Sequence, residues 1–358
     1  MTQRERQILQ LIERDPMISQ ADLAQELGIT RSSVAVHISN LIKKGHIAGK
    51  GYVLRSGTYA VVIGGINVDI GGTSNAALVA EDSNPGIVRL SLGGVGRNIA
   101  HNLSLMGTEV QLLSAYGDDL YGQQVAASCS ELGIDLSHAL RLSDARTSTY
   151  LYINDANGDM ALAVSDMSIC DRITPAYLAS NLYLLQNAQV VVVDTNIPAE
   201  SLQWLADNVT VPIFCDPVST IKAEKVRPIL GKLHTLKPNK IEAELLSGIP
   251  IHTMEDMEKA AQALLDTGLR RVFISMGADG VYGATHTEHK HIPNRPVNLV
   301  NTTGCGDAFM AALVWAYLEG TSLEDTLKAG LAASSIAIET TETINPNMSA
   351  ELMRQRMV

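Results

Sequence analysis

Short β-branched runs alternate with helical segments over most of this chain, and this alternation restricts the fold more than any other feature. We predict strands at 59–63, 110–113, 190–193, 212–215 and 271–274, with helices between them, for example at 98–106 and 254–266. Such a pattern is typical of a doubly wound α/β sheet. A hairpin at 149–154 and 160–164, with its turn at Asn157-Gly158, lies outside the alternation. It indicates either a small accessory β-sheet that forms a lid or a simple surface hairpin.

The N-terminal residues form a separate pattern, so we expect two domains, at 1–56 and 57–358. Thr2-x-x-Glu5, Ser19-x-x-Asp22 and Thr30 are start signals for three short helices, and Gly28 ends the second. The third helix carries apolar residues on one face, namely Val34, Ile38, Leu41 and Ile42. Residues 45–54 then read as a strand, a tight turn and a strand.

Charge separates the same two regions. Residues 1–56 hold eight Lys or Arg against five Asp or Glu, while the whole chain has a net charge of −11. A mildly basic module on an acidic body suggests two tasks on one chain. The module resembles a winged helix-turn-helix DNA-binding domain, and the alternative is a helical packing or oligomerisation appendage. The resemblance implies that the third helix enters the major groove of DNA. The residues implied to contact DNA are Arg31, Ser32, Ser33 and His37, with Lys43, Lys44 and Lys50 on phosphates.

Composition excludes several classes of protein. No apolar run is long enough to span a bilayer, and no signal-type segment follows the first residues. Cys129, Cys170, Cys215 and Cys305 are scattered, which fits a reducing compartment and gives no zinc pattern. We therefore expect a cytoplasmic protein that does not bind membranes.

A glycine-rich turn at 301–309, Asn-Thr-Thr-Gly-Cys-Gly-Asp-Ala-Phe, leads into an apolar helix. The backbone N–H groups of Gly304, Cys305 and Gly306 are expected to be unpaired at the helix start, where anions bind. Asp307 stands beside them and could accept a proton from an attacking hydroxyl. An anion site next to a base suits phosphoryl transfer to an alcohol. The alternative is that Asp307 only caps the helix.

Two stretches near the first predicted strand suit a polyol ligand. Asn67 and Asp69 follow that strand, at the sheet edge where α/β proteins bind ligands, and both can accept hydrogen bonds from sugar hydroxyls. Gly93-Gly94-Val95-Gly96 then opens a helix and lets a ligand approach the backbone. This stretch lacks the third glycine of a dinucleotide fingerprint, and the chain has no Walker A sequence.

Two further stretches suit a nucleotide. Asn239 and Glu242 lie three residues apart on a helical turn, where they could hold the water shell of Mg²⁺. The loop 275–280 follows a strand and could lie against a nucleotide. Each pattern is common by chance, so their order along the chain carries the argument.

In that order, the stretches resemble the ribokinase-like (phosphofructokinase B) carbohydrate kinase family over residues 58–345. The matches are 93–100, Asn239 with Glu242, and 302–309. The resemblance implies a central sheet with helices on both faces and a small β-lid, an ATP and Mg²⁺ requirement, and a nucleoside or sugar substrate. It implies that Asp307 is the catalytic base and that Gly304, Cys305 and Gly306 form the anion hole. The implied sugar ligands are Asn67, Asp69, Gly93, Gly94 and Asn98, and the implied ATP–Mg²⁺ residues are Asn239, Glu242, Ser275, Gly277 and Gly280.

Within the family, stretches 82–86, 93–100, 216–219 and 234–239 resemble the pseudouridine kinase branch. This implies phosphorylation of the 5′-hydroxyl of pseudouridine, with Arg97 and Asp166 as candidate contacts to the ribose, base or lid, or else as members of structural ion pairs. Inosine, cytidine, adenosine or a free sugar as acceptor, or a regulator that only senses a nucleoside, stay open. A homodimer is expected because lid edges and winged modules commonly pair.

The chain departs from the family pattern at two positions. Asn301 stands where many members have an Asp that helps hold a monovalent cation, so the need for potassium is uncertain. Cys305 replaces a more usual Ala and places a thiol beside the phosphates, so alkylation should inhibit.

Overall fold

The computed structural model describes residues 2–15, 18–47, 59–294 and 300–357. The N-terminal module contains helices α1 (Gln3–Arg14), α2 (Gln20–Leu27) and α3 (Arg31–Lys43). Thr2, Ser19 and Thr30 cap them through side-chain oxygens, and Thr2 forms the predicted capping box with Glu5. The three helix starts predicted from the sequence are therefore confirmed.

The core of this module is apolar and is formed by residues of the module alone. Buried side chains from all three helices meet there, namely Ile8, Ile12, Leu23, Val34, Ile38 and Leu41, together with Ile47, which follows α3. Ile42 was predicted to share the buried face of α3, but it is 44% exposed. Because 3.6 residues make a turn, the position next to Leu41 has already rotated away from the core. The strand–turn–strand predicted at 45–54 lies largely outside the described residues, as does Lys50.

The remaining residues contain strands and helices in alternation. The strands are β1 (Tyr59–Ile63), β2 (Asn67–Ser74), β3 (Gly86–Gly93), β4 (Glu109–Leu113), β5 (Ala115–Gly117), β6 (Ile134–Asp135), β7 (Leu140–Leu142), β8 (Thr149–Asn154), β9 (Met160–Asp166), β10 (Val190–Asp194), β11 (Ile213–Asp216), β12 (Thr235–Leu236), β13 (Arg271–Ser275), β14 (Val281–Thr285) and β15 (His289–Ile292). The helices are α4 (Val95–Leu105), α5 (Leu120–Glu131), α6 (Pro175–Ser180), α7 (Leu182–Asn187), α8 (Ala199–Asn208), α9 (Thr220–Ala223), α10 (Lys240–Ser247), α11 (Met254–Leu265), α12 (Cys305–Leu318), α13 (Leu323–Ala337) and α14 (Ala350–Arg356).

Within the described residues, nine strands form one sheet in the order β15-β14-β13-β12-β11-β10-β1-β4-β6. Pairs from β6 to β13 are parallel, and β13, β14 and β15 are antiparallel. Helices cover both faces, since alternate residues of β1 and β10 enter two different apolar cores. Strands buried on both faces read as continuous apolar runs, which is why these strands could be predicted.

The lid is a second sheet of four strands, in the order β3-β2-β8-β9. The predicted hairpin forms its β8 and β9, so the accessory-sheet interpretation is confirmed. The prediction was incomplete, because β2 and β3 also belong to the lid. Asn67 and Asp69 accordingly lie on lid strand β2, whereas the sequence placed them at the edge of the main sheet, directly after its first strand.

The sheet gathers polar residues at one edge. Asp194 ends β10, Asp216 ends β11 in register with Asp194, Lys237 follows β12, and Ser275 ends β13. Carboxyl ends of parallel strands meet at the same edge, where α/β folds bind ligands. None of the helices in the described residues is both long enough and apolar enough to cross a membrane.

Candidate active site

Asp307 lies in the first turn of α12, which begins after Gly304. Gly304 has φ 82°, and a Cβ there would lie 2.2 Å from the Thr343 carbonyl oxygen, so only glycine fits. Gly304 is the N-cap and no side chain caps the helix. The interpretation of Asp307 as a helix cap is therefore wrong, and its carboxylate is available for another role.

The Asp307 carboxylate is buried and weakly acidic. Burial raises the pKa of Asp307 to about 7, the Asp216 charge adds to this, and the hydrogen bond from Asn98 opposes it. Asn98 Nδ2 donates to Asp307 Oδ2 at 2.8 Å. A carboxylate with a pKa near the working pH is well matched to general-base catalysis.

The side chain of Asn98 also carries an oxygen atom, Oδ1, that could bind a ligand. Since its amide nitrogen faces Asp307, its Oδ1 faces elsewhere, and this buried oxygen has no hydrogen-bond partner among the described residues. Buried polar atoms are normally satisfied, so an unpartnered acceptor beside a base suits the hydroxyl of a bound substrate. The predicted role of Asn98 as a sugar ligand thus has a physical basis.

The expected anion hole differs from the prediction in one detail. Cys305 N–H donates to the Thr302 carbonyl oxygen at a long 3.4 Å, so it is not unpaired as predicted. Gly306 keeps its place in the first turn, where helical amides have no intrahelical acceptor. Burial raises the pKa of the Cys305 thiol to about 11, which leaves the thiol neutral near pH 7 and slows its alkylation.

The lid contributes a polar pair, Asn67 and Asp69, on strand β2. Asn67 Nδ2 donates to Asp69 Oδ1 at 2.6 Å, and burial raises the pKa of Asp69. The turn before α4 packs tightly against the chain just before β2: Gly94 has φ 98°, and a Cβ there would lie 2.4 Å from the Gly65 carbonyl oxygen. A Cβ on Gly93 would lie 2.3 Å from Asp69 Oδ2. Gly94 is thus required by chain packing, whereas a side chain at Gly93 would displace the Asp69 carboxylate, and contact of either glycine with a ligand stays a prediction.

Arg97 and Asp166 occupy different environments. Arg97 is 3% exposed and donates to the Leu92 carbonyl oxygen and to Ser128 Oγ. No carboxylate lies within 4.0 Å of its guanidinium among the described residues. This α4 side chain is therefore buried in the interior but forms no ion pair in that part of the chain. Asp166 is exposed at the end of β9 and accepts from Ser168. Contacts of either residue with a substrate stay predictions.

The residues predicted to bind ATP and Mg²⁺ lie close together, and their observed contacts stabilise the local chain. Asn239 caps α10 and forms a capping box with Glu242, in which each side chain accepts the other's backbone N–H at 2.9 Å. Asn239 also bridges to Ser275. The loop after Ser275 carries Gly277 and Gly280, both with positive φ. The structure therefore joins the two predicted nucleotide stretches at one point of the sheet edge.

This donor set fits a magnesium ion held through water. Glu242 is 3% exposed and uses one carboxylate oxygen in the capping box, which leaves the other for a ligand. No three acidic, histidine or cysteine side chains in the described ranges lie close enough together to hold a metal alone. Mg²⁺ usually keeps several waters and binds one or two carboxylates together with phosphates. Asn239 and Glu242 suit that arrangement.

The position expected to hold a monovalent cation does not fit one. Asn301 Nδ2 donates to the Thr341 carbonyl oxygen at 3.2 Å, and Asn301 Oδ1 accepts from Thr303 N–H at 3.0 Å. A cation needs oxygen ligands, but here an N–H group, which cannot ligate a cation, faces the Thr341 carbonyl oxygen. The side chain of Asn301 therefore ties the two loops together directly.

Sequence reasoning missed three charged residues at the centre of the site. Asp194 Oδ2 accepts from the backbone N–H groups of Gly65 and Gly96, each at 2.8 Å. Asp216 pairs with Lys237 at 3.0 Å, and both side chains are at most 8% exposed. The sequence signal for these residues was their position, because each ends or directly follows a strand of the main sheet. Their neighbours could be found only from contacts across the sheet.

The DNA-facing prediction is only partly described. Arg31, Ser32 and Lys43 are exposed, and Ser33 and His37 are half-buried. Lys44 pairs with the buried Glu5 at 2.8 Å, so its ammonium is committed within the module. A phosphate contact by Lys44 would compete with that pair and stays a prediction.

Comparison with known proteins gives two family matches. Residues 57–350 match the pfkB family of carbohydrate kinases, and residues 1–47 match a winged helix-turn-helix DNA-binding family. The chain is 39% identical to an uncharacterized sugar kinase, YeiI, from Escherichia coli, over 98% of both chains. It is 42% identical to pseudouridine kinase from the same organism, over 83% of this chain and 95% of that protein. The solved structure of a carbohydrate kinase from Agrobacterium tumefaciens superposes with a TM-score of 0.75 and 26% identity, over 84% of this chain and 97% of that one.

Proposed function

Because this chain belongs to the pfkB family of carbohydrate kinases, we propose that it transfers the terminal phosphoryl group of ATP to the 5′-hydroxyl of pseudouridine. The observation that carries the proposal is the buried Asp307 carboxylate, held 2.8 Å from Asn98 at the start of α12. The choice of pseudouridine is supported by the 42% identity to pseudouridine kinase.

The chain's own residues suggest the following order of events. Asn98 Oδ1 accepts a hydrogen bond from the acceptor, which brings the hydroxyl to Asp307. Asp307 then takes the hydroxyl proton as attack begins. Amides of the first turn of α12 stabilise negative charge on the transferred group, and the lid keeps water away from the site. Bound ATP and Mg²⁺ supply the phosphoryl group and part of the charge neutralisation.

An acceptor screen tests this proposal. Purified protein is given ATP, Mg²⁺ and each of a panel of nucleosides and pentoses, namely pseudouridine, uridine, inosine, cytidine, adenosine and ribose, and ADP release is measured. We expect the highest kcat/KM with pseudouridine, and mass spectrometry should place the phosphate on O5′. A higher kcat/KM with another acceptor would replace pseudouridine but leave the kinase reaction in place.

We propose DNA binding as a second function, because residues 1–47 match a winged helix-turn-helix family and the N-terminal part of α3 exposes Arg31 and Ser32. Removal of residues 1–56 should leave kinase activity and abolish retention on DNA at low salt. Phosphate contacts also predict that retention weakens steeply as salt rises. Retention of the truncated protein on DNA would contradict this assignment.

A homodimer formed through the lid is the third proposal. Lid strand β3 is an edge strand with exposed Val88 and Leu90, and β9 exposes Leu162 and Val164. Apolar side chains on a sheet with free edges favour pairing with a second copy. Light scattering should give the mass of a dimer, and Leu90→Lys should give that of a monomer. A monomeric wild-type protein at micromolar concentration would contradict the proposal.

A further inference from the structure

The buried ammonium group of Lys237 lies against the expected anion hole. Lys237 follows β12, and its Nζ lies 3.0 Å from Asp216 Oδ2. A Cβ placed on Gly306 would lie 3.2 Å from that nitrogen. The ammonium group therefore faces the first turn of α12, one residue before Asp307. Sequence reasoning assigned no role to this lysine.

Lys237 stays charged although it is buried. Burial alone would lower the pKa of Lys237, but the carboxylates of Asp216, Asp307 and Glu242 outweigh burial and raise it. Asp216 is the only carboxylate within 4.0 Å of the ammonium nitrogen among the described residues. An ammonium has three N–H donors, so the pair with Asp216 leaves donors for a further acceptor at Gly306.

We propose that Lys237 is a catalytic residue that donates a hydrogen bond to the transferred phosphoryl group, beside the amides of the first turn of α12. The inference rests on the proposed kinase reaction. In that step the acceptor oxygen bonds to phosphorus while the bond from phosphorus to the leaving oxygen of ADP breaks. The hydroxyl proton moves to Asp307, and Lys237 keeps its own proton throughout.

The geometry favours this role over simple neutralisation of Asp216. A lysine that only neutralised Asp216 could point along the sheet edge, yet its nitrogen lies where a side chain on residue 306 would crowd it, and the glycine there leaves that space open to a ligand. A fixed cation at the place where charge develops is the usual device of phosphoryl-transfer sites. Asp216 then orients the ammonium and fixes its rotamer.

The experiment must separate the two roles, because Lys237→Met alone leaves Asp216 buried without a counter-charge. Such a change is strongly destabilising and could unfold the site. The test is therefore the double variant Lys237→Met/Asp216→Asn, compared with Asp216→Asn. Asparagine can still accept from Val218 N–H, as Asp216 Oδ1 does at 2.9 Å. Lys232→Met, at an exposed lysine paired with Asp207, is the matched control.

We expect kcat of the double variant to be about 10²–10³-fold below that of Asp216→Asn, with the acceptor KM changed less than about threefold. Calorimetric titration adds a readout without turnover: the double variant should bind ADP as Asp216→Asn does, and bind a β,γ-imido ATP analogue at least tenfold more weakly. A double variant within tenfold of Asp216→Asn in kcat would overturn the role of Lys237. Wild-type protein without turnover on any acceptor would instead remove the proposed function.

Discussion

Asp307→Asn should inactivate the enzyme and stabilise the fold at the same time. The pKa of this carboxyl is raised from 3.8 to about 7, chiefly by burial. The folded state therefore binds its proton more tightly than the unfolded state does. Stability is lost as pH rises from about 4 to about 7 and is then constant, because the charged carboxylate is the form that burial penalises. At about 1.4 kcal/mol per pKa unit, the full cost is about 4 kcal/mol above pH 7.

Asparagine has the same shape as the protonated acid and carries no charge. Its Oδ1 can still accept from Asn98 Nδ2, so the hydrogen bond of 2.8 Å in the wild type has a direct replacement. Between pH 5 and pH 8 the wild type should lose about 2–3 kcal/mol that the variant keeps. At an unfolding entropy of about 2.1 cal/mol/K per residue, this corresponds for a domain of about 300 residues to a Tm difference that grows by roughly 3–5 °C over this range.

Two assays on the same preparations check the prediction. Thermal unfolding is followed by circular dichroism at pH 5, 6, 7 and 8, with Asp266→Asn, an exposed acid in α11's C-cap, as the control. Turnover should fall about 10²–10⁴-fold in Asp307→Asn, and wild-type kcat/KM should fall tenfold per pH unit below about 7. Wild-type turnover in the variant, or an unchanged pH slope of Tm, would refute the assignment of Asp307.

Three further outcomes are expected. Wild-type activity should be the same in potassium and tetramethylammonium salts. The variant Asn301→Asp replaces the N–H donor to Thr341 by a carboxylate, so its activity should rise with potassium. Equal rates of the variant in both salts would contradict this. Iodoacetamide inactivation should accelerate with pH toward the Cys305 pKa of about 11, and Cys305→Ala should be active and resistant; inactivation of that variant would place the reactive thiol elsewhere. Asp194→Ala leaves the buried N–H groups of Gly65 and Gly96 unpaired. The KM for the acceptor should therefore rise at least tenfold, and the KM for ATP less than threefold. Equal rises of the two KM values would contradict a role of Asp194 in acceptor binding.

The sequence was sufficient where structure is local. Helix starts at Thr2, Ser19 and Thr30 follow from side chains that accept a backbone N–H three residues on. Strands of the main sheet follow from runs such as Val190–Asp194, which are buried on both faces. Lid strands β2 and β3 were missed because β2 contains Gly71 and Gly72, and because β3 exposes apolar side chains. Residues 88–92 nevertheless alternate between apolar and polar side chains, so β3 carried a signal that could have been used.

The chemistry of the site depends on contacts that no local pattern encodes. Asn98 and Asp307 are 209 residues apart, and Asp194 is 129 residues from Gly65. Motif spacing identified Asp307 but gave no information on its pKa, which depends on burial and on the nearby Asp216 charge. A candidate base could therefore be named from the sequence, whereas the pKa of its carboxyl group could not be predicted.

Knowledge of one strand pairing, that of β1 with β10, would have supplied most of the contacts that the sequence did not show. In the described residues β10 lies between β1 and β11, so the chain leaves β1, builds the lid and β4, and returns to the other side of β1. That crossover places Asp194 beside the Gly65 end of β1, and the parallel register then places Asp216 beside Asp194. Lys237 follows on the next strand, within reach of Gly306. The charged centre of the site is thus a consequence of strand order, so homologous chains that keep this order should hold their charged residues at the ends of the same strands, whatever their loops contain.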